Sequence, residues 1–396
     1  MNRREFLRRT AAGAALASVG TLGIGFAQGP GGRRDLIAVS NAGDADTAPS
    51  VSLIDPDSYQ VLATVPLAGS YSLPSTRWHF ARDKIWTGGP NDAVHAYSLS
   101  SGERVSELIT DSSQNYTEIT PDGRFVIDAA RFDDRYLKIV ADPDHPDFGR
   151  PAEQFDTYQG ASPCDMTITR DGRYAYAPDR GGDTLTVVRI DPFERVAVIP
   201  MESFGDAPLE PYMATVAPSG RTLLVENAKV EGGSETGSES IFDLADPENP
   251  VETARLTPED GLGVGPITSE FTPDERYGIV ICRDSSELSI IELATATVVK
   301  SVKFPEGSNP ITGTFVYRPD AETFFVPLPG RDAVAAVTLP DFEVATLIPV
   351  GARPVGAAYL ETPLPERTEA GHPLGVALAS GRIFPAGCPD RCCGKV

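Results

Sequence analysis

One phrase returns along the whole chain: an alternating apolar run, an Asp or turn, and a second apolar run. It reads "VSLIDPDSYQVLATVPL" from Val51, "VHAYSLSSGERVSELI" from Val94, "LKIVADPDHP" from Leu137 and "LTVVRIDPFERVAVIP" from Leu185. It continues as "SIFDLADPENPVETARL" from Ser240, "LSIIELATATVVKSVKF" from Leu288 and "VAAVTLPDFEVATLIPV" from Val334. The starts are 43, 43, 48, 55, 48 and 46 residues apart. A period of that length holds one four-stranded sheet, and such a unit buries its faces only by stacking against copies of itself.

A second phrase precedes the first. It is "QNYTEITPDGRFVIDA" from Gln114, "SPCDMTITRDGRYAYAPD" from Ser162, "EPYMATVAPSGRTLLVEN" from Glu210 and "GPITSEFTPDERYGIVIC" from Gly265. Asp-Gly and Ser-Gly supply the positive φ that tight hairpins need. The alternating apolar residues on either side predict strands.

The ends of the repeat region complete each other. "GARPVGAAYL" (residues 351–360) is a first-strand phrase with no unit after it, and "DLIAVSN" from Asp35 begins at a second strand. A C-terminal strand that completes the N-terminal blade joins the ends without leaving sheet edges exposed. The sequence therefore predicts an all-β, seven-bladed β-propeller over 35–360. The Asp-Gly-Arg-Tyr turns, with "YAPD" at 176–179, "VSN" at 39–41 and "VEN" at 225–227, resemble the YVTN-type propeller repeats of surface-layer and periplasmic proteins. Similar repeats serve as binding proteins, as lactonase-like enzymes and beside redox cofactors, so the resemblance implies the fold and leaves the activity open.

Before the repeats, "NRREFLRRTAAGAALASVGTLGIGFAQ" sets Arg3 and Arg4 ahead of an apolar run with Gly25 and Ala27 near its end. That layout resembles a twin-arginine (Tat) export signal over 1–27, cleaved before Gln28. It predicts a periplasmic, extracellular or cell-surface protein with no transmembrane segment in the mature chain. The Tat route carries folded proteins, often with a cofactor already inserted. The net charge of -22 disfavours nucleic acid and anionic lipid as partners.

In a propeller the inner strands line a channel, and the loops leading into them converge on one rim. Residues nominated for that rim are Ser75, Arg77, His79, Asn115, Tyr116, Glu118, Cys164, Asp165, Glu210, Tyr212, Thr268, Glu270, Asn309, Thr312 and Arg353. The expected ligand contacts are Arg77, His79, Tyr116, Glu118, Asp165, Tyr212, Glu270 and Arg353. Candidates for acid–base work are His79, Glu118, Asp165 and Glu270. These groups equally suit a channel that is simply filled with water. His79, His95, His145 and His372 are too scattered for a histidine-rich metal centre. "DPDHPDFG" (142–149) offers carboxylates to calcium or forms a solvated turn, and "EGGSETGSES" (231–240) reads as a flexible loop.

Of five cysteines, Cys282 falls in an apolar strand and Cys164 at the rim. Cys388, Cys392 and Cys393 cluster in a tail, 361–396. In an exported chain they suit a disulfide or intermolecular link, or ligation of copper or zinc. The expected function is a ligand- or protein-binding scaffold acting through the channel rim. The alternative is an enzyme there, either a metal-assisted oxidoreductase using the tail or a lactonase-like hydrolase.

Overall fold

The computed structural model describes residues 33–66, 78–81, 84–87, 93–98, 103–110, 115–201, 208–228, 236–315 and 322–363. The expected signal at 1–27, Arg77 and the tail cysteines lie outside these residues. Among them stand seven antiparallel four-stranded sheets, the blades of a β-propeller. Their inner strands are Pro354–Pro363 in blade 1, Trp78–Ala81 in blade 2, Asn115–Ile119 in blade 3 and Thr167–Ile168 in blade 4. Pro211–Val216, Pro266–Phe271 and Thr314–Phe315 serve blades 5, 6 and 7.

Blade 1 joins the two ends of the repeat region. Pro354–Pro363 pairs with Arg33–Asn41, and the Tyr359 hydroxyl donates to Asp35 at 2.6 Å. The strand begins three residues after the start of "GARPVGAAYL" because Arg353, at φ 53, closes a turn first.

Burial follows position in the blade. Second strands such as Phe125–Ala130 and Tyr277–Cys282 are buried almost throughout, because neighbouring blades cover both faces. Outer strands such as Glu343–Pro349 are mostly exposed. In all seven blades the pairing of third and fourth strands shifts register at the equivalent place, from Leu53/Ile54 to Ala336/Val337. Such bulges increase local twist. No sequence signature marks them.

Three repeat features acquire a physical cause. In the hairpins at 120–124, 169–173 and 272–276, a Thr hydroxyl donates to the Asp two residues on, at 2.7, 2.7 and 2.6 Å. The same Asp accepts the backbone N–H of the following Arg. Secondly, the polar residue that ends the second strand reaches hydroxyls on the third. Asn41 donates to Ser50 and Ser52, and Asn227 to Ser238 and Ser240. Asp179 accepts from Thr184 at 2.8 Å and Thr186 at 2.6 Å. Thirdly, Asp134, Asp183 and Asp332, each at φ 49, clamp the loop that leads into the next blade. They accept the N–H of Ser162 at 2.7 Å, Glu210 at 2.9 Å and Arg353 at 2.7 Å.

The layer changes character where blade 5 meets blade 6. Glu226 and Glu239 stand opposite each other in register and are fully buried. Leu224 and Ile241 on the same face pack with blade 6, whose Cys282 is paired with buried Glu287. Neither carboxyl oxygen of Glu239 has a hydrogen-bond partner. Burial, then the nearby Glu226, pushes its pKa well above the ordinary value. A group that holds its proton more tightly when folded costs stability as pH rises. Glu239→Gln is therefore expected to stabilise the protein by about 1–4 kcal/mol at pH 8 and by much less at pH 5. Urea unfolding at the two pH values measures this, and an equal gain at both would contradict the assignment.

Candidate functional site

A cavity of about 470 Å³ opens where the inner strands of blades 3–6 turn outward into the second strands. Glu118, Thr167, Thr215 and Glu270 occupy the same repeat position in those four blades, and all line it. The repeat thus sets one polar layer across four successive strands.

Glu118 and Glu270 are only 3% and 7% exposed. Glu118 accepts the N–H of Ile119 at 3.2 Å. Lys138, 5% exposed, lies on the wall. Its ammonium donates to Glu153 at 2.8 Å and to the Ile190 carbonyl at 3.0 Å, and stands 4.6 Å from the centre of the Phe125 ring. These partners compensate for the water that a buried ammonium gives up. Phe125, Ile119, Ile168 and Val216 complete an amphiphilic lining. The hairpin residues Asp122, Arg124, Arg170 and Asp171 form part of the rim.

Sequence reasoning placed the rim at the loops leading into the inner strands, whereas this cavity lies at the strands' other ends. Of the nominated residues, Glu118 and Glu270 line it. Tyr116, Asp165 and Tyr212 are buried at the opposite end, at 2%, 0% and 5% exposure. There the Tyr212 hydroxyl donates to the Pro266 carbonyl, tying blade 5 to blade 6. Thr268 donates to Ile311 at 2.9 Å. Arg353 lies in the Asp332 clamp, and Arg180 holds the Glu210 carboxylate at 2.7 Å. His79 lies on the inner strand of blade 2, opposite Trp86 in register; the position of its side chain is outside the described residues.

The remaining titratable candidates have local roles. His95 is buried 3.5 Å from Glu107, and desolvation outweighs that carboxylate to lower its pKa. His145 accepts the Asp147 N–H at 3.1 Å within a turn. Cys164 and Cys282 are fully buried, and burial pushes the Cys282 thiol up to about 12. Among the described residues, no three His, Cys, Asp or Glu side chains converge to hold a metal.

Sequence reasoning passed over Lys138, Thr167, Thr215 and Arg170. Two of them carried a signal: Lys138 interrupts an apolar strand, and Arg170 stands where neighbouring repeats have Pro121, Pro218 and Pro273.

The chain matches no protein family and no curated protein by sequence. Its likeness is to solved propellers. A periplasmic gluconolactonase of Pseudomonas aeruginosa, PpgL, is 17% identical with a TM-score of 0.61, over 82% of this chain and 98% of that one. A protein from Lactobacillus plantarum is 11% identical with a TM-score of 0.65, over 83% and 99%. The β-propeller domain of Myceliophteria thermophila Cps50 (Swd1) is 16% identical with a TM-score of 0.53, over 77% and 89%. At these identities the shared property is the fold. The chain is a β-propeller, and its neighbours span more than one function. No helix among the described residues is long and apolar enough to cross a membrane.

Proposed function

We propose that the protein is an exported, YVTN-like propeller that binds a small molecule in the cavity at the outgoing ends of its inner strands. The observation that carries this reading is the layer of Glu118, Thr167, Thr215 and Glu270, contributed by four blades to one cavity of about 470 Å³. That size suits a small ligand held by a few convergent polar groups. Export rests on the arginine pair Arg3 and Arg4 and the apolar run behind it.

A thermal-shift screen of a metabolite library tests the reading. Compounds that raise the unfolding midpoint are expected to bind Glu118→Gln at least about tenfold more weakly, as loss of a charge-assisted contact requires. Hits that ignore both Glu118→Gln and Glu270→Gln would place binding elsewhere.

The presence of two buried carboxylates in one cavity also supports a second reading, a hydrolase in which one acts as acid and the other as base. One propeller of similar fold carries the name gluconolactonase, which makes sugar lactones the first substrates to test. Turnover that survives Glu118→Gln and Glu270→Gln would remove this reading.

A further inference from the structure

The cavity is lined by charges of both signs. Its floor holds two nearly buried carboxylates, Glu118 and Glu270. Nearer solvent are Asp122, paired with Arg124, Asp171, paired with Arg173, and the exposed Asp191. Three cations line the cavity: Arg124, Lys138 and Arg170. Two of these are already committed. Arg124 is tied to Asp122 at 2.5 Å, and Lys138 to Glu153 at 2.8 Å. Arg170 differs: among the described residues its side chain makes no ion pair, hydrogen bond or ring contact, and it is exposed at the mouth.

The repeat gives an internal comparison. At the position of Arg170, blades 3, 5 and 6 carry Pro121, Pro218 and Pro273, which suit the first corner of a hairpin turn. Blade 4 gives up that turn residue for a cation, and Thr169 and Asp171 still close the same hairpin. A departure from the local rule with no ion pair, hydrogen bond or ring contact to account for it points to function.

We infer that the cavity takes a zwitterion, its ammonium group directed to the Glu118 and Glu270 floor and its carboxylate to Arg170. This rests on the small-molecule reading above. A simple anion would face the acidic floor, and a simple cation would leave Arg170 unused. The volume exceeds that of a single α-amino acid and leaves room for a zwitterion whose two charges are several bonds apart. The two poles are unequal. The floor is desolvated and strengthens a charge contact, whereas Arg170 is screened by water and contributes less.

Calorimetric titration of the full chain with glycine, 4-aminobutyrate and 6-aminohexanoate tests the inference, with pentylamine and hexanoate as single-charge controls. One of the longer zwitterions is expected to bind about fivefold tighter than pentylamine and far tighter than hexanoate. Arg170→Ala is expected to bring that zwitterion down to the affinity of the amine and to leave amine binding unchanged. Because the exposed Arg170 side chain makes no ion pair, hydrogen bond or ring contact among the described residues, the variant is expected to retain the fold, and an unchanged unfolding midpoint verifies this. A zwitterion that binds no better than the amine, or that ignores Arg170→Ala, would overturn the inference. If all five probes fail while library compounds bind in a Glu118-dependent way, the inference falls and the cavity reading stands. If no compound binds at all, both fall.

Discussion

Removing residues 351–396 is expected to abolish cooperative folding, whereas removing 364–396 alone is expected to leave the thermal transition within a few degrees of the full chain. The longer deletion takes away the inner strand of blade 1. Val355, Ala357, Ala358 and Tyr359 are at most 4% exposed there, and the backbone pairing with Arg33–Asn41 runs the length of that strand. It would also uncover Phe325 and Val334 of blade 7, which pack in one cluster with Ala357 and Tyr359. Domain stabilities lie near 5–15 kcal/mol, roughly what the loss of a whole inner strand and its packing removes. Circular dichroism melts of both truncations measure the contrast. A chain ending at Val350 that melts like the full protein would show that blade 1 does not depend on its C-terminal strand.

The second large effect is expected at Asp179. Its carboxylate lies between blades 3 and 4 and accepts hydroxyls from Thr184, Thr186, Tyr158 and Tyr136, at 2.8, 2.6, 3.3 and 3.5 Å. Burial raises its pKa from 3.8 to about 6, against the opposing pull of those hydrogen bonds. The folded protein thus holds this proton to about pH 6, while the unfolded chain releases it near 4. The stability it contributes is fully present below about pH 4 and is lost as pH rises through about 6. A shift of two units corresponds to about 3 kcal/mol. Asp179→Asn is the choice that blades 1 and 5 already make with Asn41 and Asn227. It is expected to flatten this slope and to match or exceed the wild type at pH 8. Asp179→Ala, which leaves four hydroxyls without their acceptor, is expected to cost about 3–5 kcal/mol. Urea titrations from pH 4 to 8 distinguish the outcomes, and an Asn variant that keeps the full acid-side slope would show that another group carries it.

Other carboxyls work in the opposite direction. Asp122, Asp171 and Asp274 have lowered pKa values; burial opposes the shift, but the Thr hydroxyls and Arg groups of their hairpins outweigh it. They contribute stability above their unfolded pKa and lose it on strong acidification. Asp128, fully buried with no hydrogen-bond partner for either oxygen, joins Asp179 and Glu239 in favouring mild acid. The stability maximum is therefore expected on the acid side of neutrality.

Much of this architecture was legible because a repeat is its own control. The seven units, the Asp-Gly turns and the complementary ends all followed from "VSLID", "PDGR" and "GARPV". The cavity was only half legible. Glu118 and Glu270 stood out as carboxylates in inner strands, but their partners Thr167 and Thr215 read as ordinary strand residues. That Tyr116, Asp165 and Tyr212 are buried while Glu118 and Glu270 line a cavity depends on how neighbouring blades pack rather than on any one phrase. The Asp134, Asp183 and Asp332 clamps were hidden for a similar reason, since each acts on a loop 21 to 28 residues further on.

The joint in blade 1 has a temporal side as well. Asp35 and Tyr359, bonded across that sheet, are 324 residues apart. A ribosome makes the waiting strand first and its partner last, so blade 1 stays incomplete until nearly the whole repeat region has been synthesised. A prematurely terminated chain leaves Arg33–Asn41 without its inner-strand partner, and a finished one completes the four strands of blade 1.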